Sequence, residues 1–214
     1  TVTGSGTVEN TIGSRAALAN YPGATATLKG CTFTGNDWYV IKNLGTLTMS
    51  GADMEQKAPC TAESGPSAIA NGFYGNSGGS IDLDEKPSGK NAVLTINGGA
   101  FSGGLNTIKN DDYGVLTIND GTFENTTGPA VLNWNKATIH GGTFTVNNVS
   151  KSVLANSYGG VPQDSGEMTI TGGTFTAANN GEGSLFGYGL ISGQPEGGFL
   201  KISGGAFNGV ATVG

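Results

Sequence analysis

The chain has 214 residues, of which 39 are glycine and only 12% are charged, and its formal net charge is −6. Phosphate recognition needs a basic stripe, so a single arginine (Arg15) and a net negative charge argue against nucleic acid as a partner. They argue, less strongly, against an anionic polysaccharide. No apolar run approaches the ~20 residues of a membrane span, so we expect no membrane insertion of this domain.

In chain order, the pattern predicts one domain over residues 1–214 with regular and irregular stretches. The segments are a degenerate first coil at 1–20, two regular coils at 21–54, a loop at 55–66, an irregular stretch at 72–91, the most regular coils at 92–148, and excursions at 157–166 and 179–197. No signal peptide is visible, and the chain begins and ends in mid-pattern. We therefore expect a piece of a longer, exported protein.

A short repeat organises the sequence. Five copies are clear, and they begin at Leu94, Leu116, Ala137, Met168 and Leu200; weaker copies begin at Thr27 and Leu47. Within a copy such as Leu94-Thr95-Ile96-Asn97, apolar and polar residues alternate, which predicts a strand with one buried face. The glycine pair that follows permits a sharp corner, after which the terminal phenylalanine turns back to the interior.

The spacing of the copies predicts the fold. Phe101, Phe123 and Phe144 follow one another at nearly constant intervals. A period of roughly 21–22 residues with one short strand per copy, and without a helical period, is typical of a β-solenoid. The interval from Met54 to Phe101 is about two periods long, so we expect one degenerate coil between them.

A second register has the form apolar-x-Asn. It ends at Asn20, Asn43, Asn71, Asn110, Asn133 and Asn156. Several neighbours in this set are separated by a single period, as expected if one asparagine returns per coil and bonds through its amide to the coils above and below. The sequence therefore predicts that Asn110, Asn133 and Asn156 stack on one another.

Together these motifs resemble the right-handed parallel β-helix of the pectate-lyase-like superfamily, in the Gly-Gly-x-Phe repeat style of bacterial surface proteins. The resemblance spans roughly residues 15 to 210. It implies an all-β parallel β-helix of about eight coils, each of roughly 21–23 residues, with longer loop insertions. It also implies an extracellular location, at the bacterial cell surface or secreted. It does not fix an activity, since that superfamily contains lyases, hydrolases, tailspikes and adhesins.

An enzymatic alternative uses Asp111, Asp112 and His140, followed by Lys201. Polygalacturonases of this superfamily carry an Asp pair, a Gly-His-Gly and an Arg-x-Lys in that chain order, and they invert with two carboxyl groups flanking a water. Here Ile139 precedes the histidine, and no arginine lies near Lys201. His140 also occupies a slot that is held by Asn, Thr or Ser in other copies, which favours a surface histidine.

A lyase alternative would need calcium ligands, and Asp82, Asp84 and Glu85 offer oxygen atoms for such a cation. They lie in the irregular stretch with only lysines nearby, so a solvated charged loop is the simpler interpretation. We predict no metal site and no cofactor.

Aromatic residues just past the asparagine rungs form the favoured site. Tyr74, Tyr113, Trp134 and Tyr158 closely follow a rung in the chain, so coils in register would gather them near one edge. A row of exposed rings suits sugar faces or a protein interface, although some of these rings are also expected to cover corners of the core. Trp38 and Tyr39 lie on the other side of their rung, and we assign them to a separate patch.

Cys31 and Cys60 are a candidate disulfide, because a little over one coil of sequence separates them; two free thiols are the alternative.

The sequence favours a non-catalytic binding or adhesion module that recognises a glycan or a surface protein of host or bacterium. A polysaccharide lyase or glycoside hydrolase and a rigid stalk are the alternatives.

Overall fold

The computed structural model describes residues 1–11, 15–35, 38–61, 64–73, 91–156, 166–187 and 199–211. Its strands are β1 (Val2–Thr3), β2 (Thr7–Asn10), β3 (Leu18–Asn20), β4 (Thr25–Lys29), β5 (Thr32–Gly35), β6 (Ile41–Asn43), β7 (Thr46–Ser50), β8 (Asp53–Gln56), β9 (Ile69–Asn71), β10 (Ala92–Gly103), β11 (Ile108–Asn110), β12 (Gly114–Asn125), β13 (Val131–Asn133), β14 (Lys136–Ile139), β15 (Thr143–Val146), β16 (Leu154–Asn156), β17 (Glu167–Ile170), β18 (Thr174–Thr176), β19 (Phe186–Gly187), β20 (Phe199–Ile202) and β21 (Ala206–Asn208). One short turn, α1 (Ala178–Gly181), interrupts them, and Asn179 and Asn180 within it have positive φ.

The strands stack in parallel along three lines. The first line runs β1-β4-β7-β10-β12-β14-β17-β20. The second line runs β2-β5-β8-β10-β12-β15-β18-β21, because the long strands β10 and β12 bend and serve both lines. The third sheet runs β3-β6-β9-β11-β13-β16-β19. Within the described residues, strands of the three lines follow one another in eight successive coils, the last of which has no strand on the third sheet. The chain is therefore a parallel β-helix, which confirms the predicted fold class.

The phenylalanine of each repeat forms a continuous interior stack. Phe101, Phe123, Phe144 and Phe175 are register partners on successive coils, and each is at most 1% exposed. The rings of Phe123 and Phe144 are 4.6 Å apart at 7°. Ring spacing matches strand spacing because both are set by the hydrogen-bonded distance between coils. The predicted return of the aromatic residue to the interior is confirmed.

The asparagine rungs form a second interior column. Asn110 Nδ2 donates to Asn133 Oδ1 at 2.7 Å, and Asn133 Nδ2 donates to Asn156 Oδ1 at 2.7 Å. The same bond links Asn71 to Asn110 at 2.7 Å and continues through Asn43 to the first coil. These amides satisfy backbone carbonyl groups at a buried corner, which explains why the residue recurs. The predicted stacking of asparagines is confirmed.

The expected extra coil between Met54 and Phe101 is absent, and that prediction was wrong. Phe101 pairs directly with Met54, and Leu94 pairs directly with Leu47. The long interval is one coil, β7-β8-β9, lengthened by insertions on both sides of β9. Residue spacing alone does not distinguish a degenerate coil from loops inserted into one coil.

A glycine is required where the first line turns into the second. Gly99 has φ +122°, and a Cβ atom there would collide with the backbone of Ala52 on the preceding coil. A side chain would therefore break both the local conformation and the stacking of coils. The glycine pairs of the repeat mark this corner, as the sequence predicted.

The candidate disulfide between Cys31 and Cys60 is not formed. Both are free thiols: Cys31 is buried with its Sγ 3.9 Å from the carbonyl oxygen of Val2, and Cys60 Sγ lies 3.5 Å from the carbonyl oxygen of Pro66. Burial raises the pKa of the Cys60 thiol. Among the described residues, no helix is long and apolar enough to cross a membrane.

Candidate functional site

The outward face of the third sheet differs from coil to coil. Its central column reads, in register, Ala19, Lys42, Ala70, Lys109, Leu132 and Ala155. The two lysines are only 6% and 8% exposed although they point away from the core. Long cations are seldom buried unless they are paired, so a partner is expected beside this column.

Asp111 is that partner. Its side chain is fully buried, with Oδ1 2.9 Å from Lys109 Nζ and Oδ2 3.7 Å from Lys42 Nζ. The lysines lie two coils apart, about 10 Å at the usual strand spacing. They converge because the residue between them is the small Ala70. Lys42 Nζ also donates to the carbonyl oxygen of Gly72 at 2.7 Å.

A tight turn after β11 positions the aspartate. The amide of Asp111 donates to the carbonyl oxygen of Asn71 at 2.7 Å, and its carbonyl accepts from the amide of Gly114 at 2.9 Å. Tyr113, within this turn, has φ +61°, an uncommon conformation for a non-glycine residue. Asp112 is also fully buried, and its carbonyl accepts from the amide of Phe73 at 2.9 Å.

Burial dominates the electrostatics of Lys42. Desolvation lowers its pKa below the ordinary value of 10.5, Asp111 acts in the opposite direction, and Lys109 lowers the pKa further. The single carboxylate of Asp111 therefore lies between two buried ammonium groups.

Aromatic rings flank this ionic cluster at both ends. Lys109 Nζ lies 4.0 Å from the ring centroid of Trp134, within the range of a strong cation–π contact. Lys42 Nζ lies 5.5 Å from the ring centroid of Tyr39, which packs on Trp38 at 4.6 Å.

Tyr39, Lys42, Asp111, Lys109 and Trp134 therefore form one row of successive contacts, which we call the charge–aromatic row. It runs along the helix axis from the second coil to the fifth, about 14 Å at the usual strand spacing. Trp134 and Tyr39 are only partly buried, whereas the three ionic side chains beneath them are buried.

The described residues include only part of the predicted aromatic edge. Trp134 lies in the charge–aromatic row, and Tyr113 packs on Phe73 with ring centroids 6.4 Å apart at 81°. Tyr74 and Tyr158 lie outside the described residues, so their membership of this edge stays a prediction.

Sequence reasoning treated Tyr39 as part of a separate patch, whereas Asp111 joins it through Lys42 to Lys109 and Trp134. The missed signal was the pair of lysines at the x position of apolar-x-Asn rungs, where other coils carry alanine or leucine.

The residues of the enzymatic alternative are not brought together. His140 is exposed on the corner after the first line, where its Nδ1 lies 2.8 Å from Thr171 Oγ1. Asp111 and Asp112 lie on the corner before that line. The strand segment 115–118 separates the two corners by about 13 Å. The lysine contacts of Asp111 give this carboxylate a structural role.

A concave surface, separate from the charge–aromatic row, lies near the corner after the second line. Thr126, Asn147, Asn148, Val149, Ala178 and Asn179 line a shallow cavity of about 290 Å³. The amide of Asn148 already donates to the carbonyl groups of Thr126 and Thr127. This cavity has no aromatic wall, so it is less suited than the charge–aromatic row to a sugar ring.

No group of three or more His, Cys, Asp or Glu side chains is arranged for a metal ion within the part of the chain that the structure describes. Asp82, Asp84 and Glu85, considered above for calcium, lie outside that part.

Comparisons with protein-family models, with curated proteins and with solved structures found no match to this chain.

Proposed function

We propose that this domain is a non-catalytic module that binds a glycan on the outward face of the third sheet. The observation that carries the proposal is the contact of Lys109 with the ring of Trp134, with Nζ 4.0 Å from the ring centroid. Asp111 fixes this lysine, so the ring is held from below by a buried ion pair.

A fixed, partly exposed ring is well suited to a sugar. The faces of hexose rings carry C–H groups that pack on aromatic rings, and a ring already held in place loses little conformational entropy on binding. Tyr39 and Trp38 provide aromatic surface at the other end of the row, which favours a linear oligosaccharide over a single sugar.

We further propose that the parent protein is exported by a bacterium and that the module serves adhesion at the cell surface or in secreted form. The support is the Gly-Gly-x-Phe repeat, whose style resembles that of bacterial surface proteins, including adhesins of the pectate-lyase-like superfamily.

The test is a glycan-array screen of the 214-residue chain, followed by calorimetry on each glycan that binds. We expect Trp134→Ala to weaken binding at least about tenfold, or ~1.4 kcal/mol, in a variant that remains folded at the temperature of the assay. Tyr113→Ala tests the neighbouring turn, and we expect a smaller loss because this ring packs on Phe73.

Tyr21→Ala is the matched control, since Tyr21 is an exposed tyrosine on the first coil and is 49% exposed. Failure to bind any glycan contradicts the proposal and favours a protein partner or a stalk. Shortening of a polysaccharide during the assay contradicts it in favour of a lyase or hydrolase.

A further inference from the structure

The buried ion pairs beneath the aromatic rings restrict the class of glycan that can bind. Lys42 and Lys109 are the only charged side chains in the described outward column of the third sheet, and both contact the carboxylate of Asp111, at 3.7 Å and 2.9 Å. A ligand carboxylate approaching this face would meet ammonium groups that are buried and already share a carboxylate.

The geometry makes this pairing difficult to reverse. Asp111 is fully buried, and both lysines are more than nine-tenths buried. Turning either ammonium toward a ligand would leave Asp111 with a weaker partner in a poorly solvated place, which is costly.

Lys136, two residues after Trp134 in the sequence, adds little attraction for an anionic ligand. Lys136 is exposed, and its Nζ lies 3.7 Å from the carboxylate of Glu167 on the next coil. An exposed pair of this kind contributes little to binding energy and is screened by salt.

We propose that the charge–aromatic row takes uncharged oligosaccharides, such as chains of neutral hexoses or N-acetylhexosamines, and discriminates against uronic-acid chains. Asp111 is the residue that sets this preference, because it holds both ammonium groups in buried contacts and away from a uronate. The inference depends on the proposed glycan-binding function and adds the chemical class of its ligand.

The experiment compares glucose, N-acetylglucosamine and galacturonic-acid hexasaccharides by calorimetry on the 214-residue chain. We expect a neutral hexasaccharide to bind at least about tenfold more tightly than the galacturonate. Binding of the neutral ligand should vary by less than about twofold between ~0.05 and ~0.5 M salt, because no net charge is neutralised.

Asp111→Asn sharpens the test. The substitution keeps the shape of the side chain but removes the carboxylate that the two lysines share, so we expect the preference for the neutral ligand to shrink about tenfold or to reverse. Lys109→Gln is the opposite change, and we expect it to increase discrimination against galacturonate.

The possible failures are distinct. If none of the three hexasaccharides and no other glycan binds, the proposed function itself is wrong. If galacturonate binds as tightly as the neutral ligands, glycan binding stands and the inference is overturned. If Asp111→Asn does not fold, the ligand comparison and the salt series on the unaltered chain still decide the question.

Discussion

Two outward faces of the same coils differ in how regularly their residues repeat from coil to coil. On the first line, a single column repeats threonine through six coils: Thr27, Thr48, Thr95, Thr117, Thr138 and Thr169. On the third sheet, the equivalent column alternates alanine, lysine and leucine, and its two lysines are buried.

The difference indicates which constraints act on each face. A half-exposed strand position is satisfied by any residue with good β-propensity, and threonine meets that demand on every coil. Burying two lysines and two aspartates beside a sheet has a desolvation cost. The fold does not require these residues, since neighbouring coils carry alanine at the same position of the sheet. We interpret the irregular face as the one shaped by ligand binding.

The largest effect is expected at Asp111. Asp111→Ala leaves Lys42 and Lys109 buried without their shared partner, and we expect a loss of about 3–5 kcal/mol in the free energy of unfolding. Urea denaturation measures it. Asp120→Ala, an exposed aspartate of the next coil, is the control. Equal stability of the two variants would show that the ionic cluster is not a structural unit.

A pH effect of intermediate size is expected at Lys42. Because burial lowers its folded-state pKa, the unfolded chain binds this proton more tightly. The contribution of Lys42 to the free energy of unfolding therefore rises with pH, from the lowered folded-state pKa up to the ordinary pKa of 10.5.

The stability of the natural chain relative to Lys42→Met should rise across that range in urea denaturation at stepped pH. Lys136→Met is the exposed-lysine control. A relative stability that falls with rising pH would mean that Asp111, rather than desolvation, dominates the pKa of Lys42.

The smallest effect is expected on the regular face. Thr117→Ala removes one member of the threonine column, whose side chain is partly exposed, so we expect a change within ~0.5 kcal/mol and unaltered glycan binding. Thermal unfolding and calorimetry check both parts. A loss of binding here would move the site to the first line and remove the basis of the comparison.

The repeated features could be predicted because each depends on a few residues that lie close together in the sequence. Alternation placed Leu94 and Ile96 inside, and the glycine pair predicted the corner before Phe101. The rung pattern predicted the contact from Asn110 to Asn133. Each of these structural requirements recurs in successive coils, so the corresponding residue pattern is repeated several times in the sequence.

The ionic cluster was not predictable in the same way. Lys42 and Lys109 alternate with buried neighbours, as any solvent-facing lysine would. Their burial arises from Asp111 and from rings on other coils, which join them only once the coils are in register. The extra coil was mispredicted for a related reason. The number of residues from Met54 to Phe101 does not show whether they form a further coil or loops inserted into one coil.

The most direct test of the account uses the two tryptophans of the chain, Trp38 and Trp134. In Trp38→Phe, Trp134 is the only tryptophan, and its emission is titrated with the neutral hexasaccharide that binds in calorimetry. We predict a saturable change in emission with the same dissociation constant as calorimetry gives. Binding in calorimetry with unchanged emission would place the glycan elsewhere and contradict the assignment of the site to the charge–aromatic row.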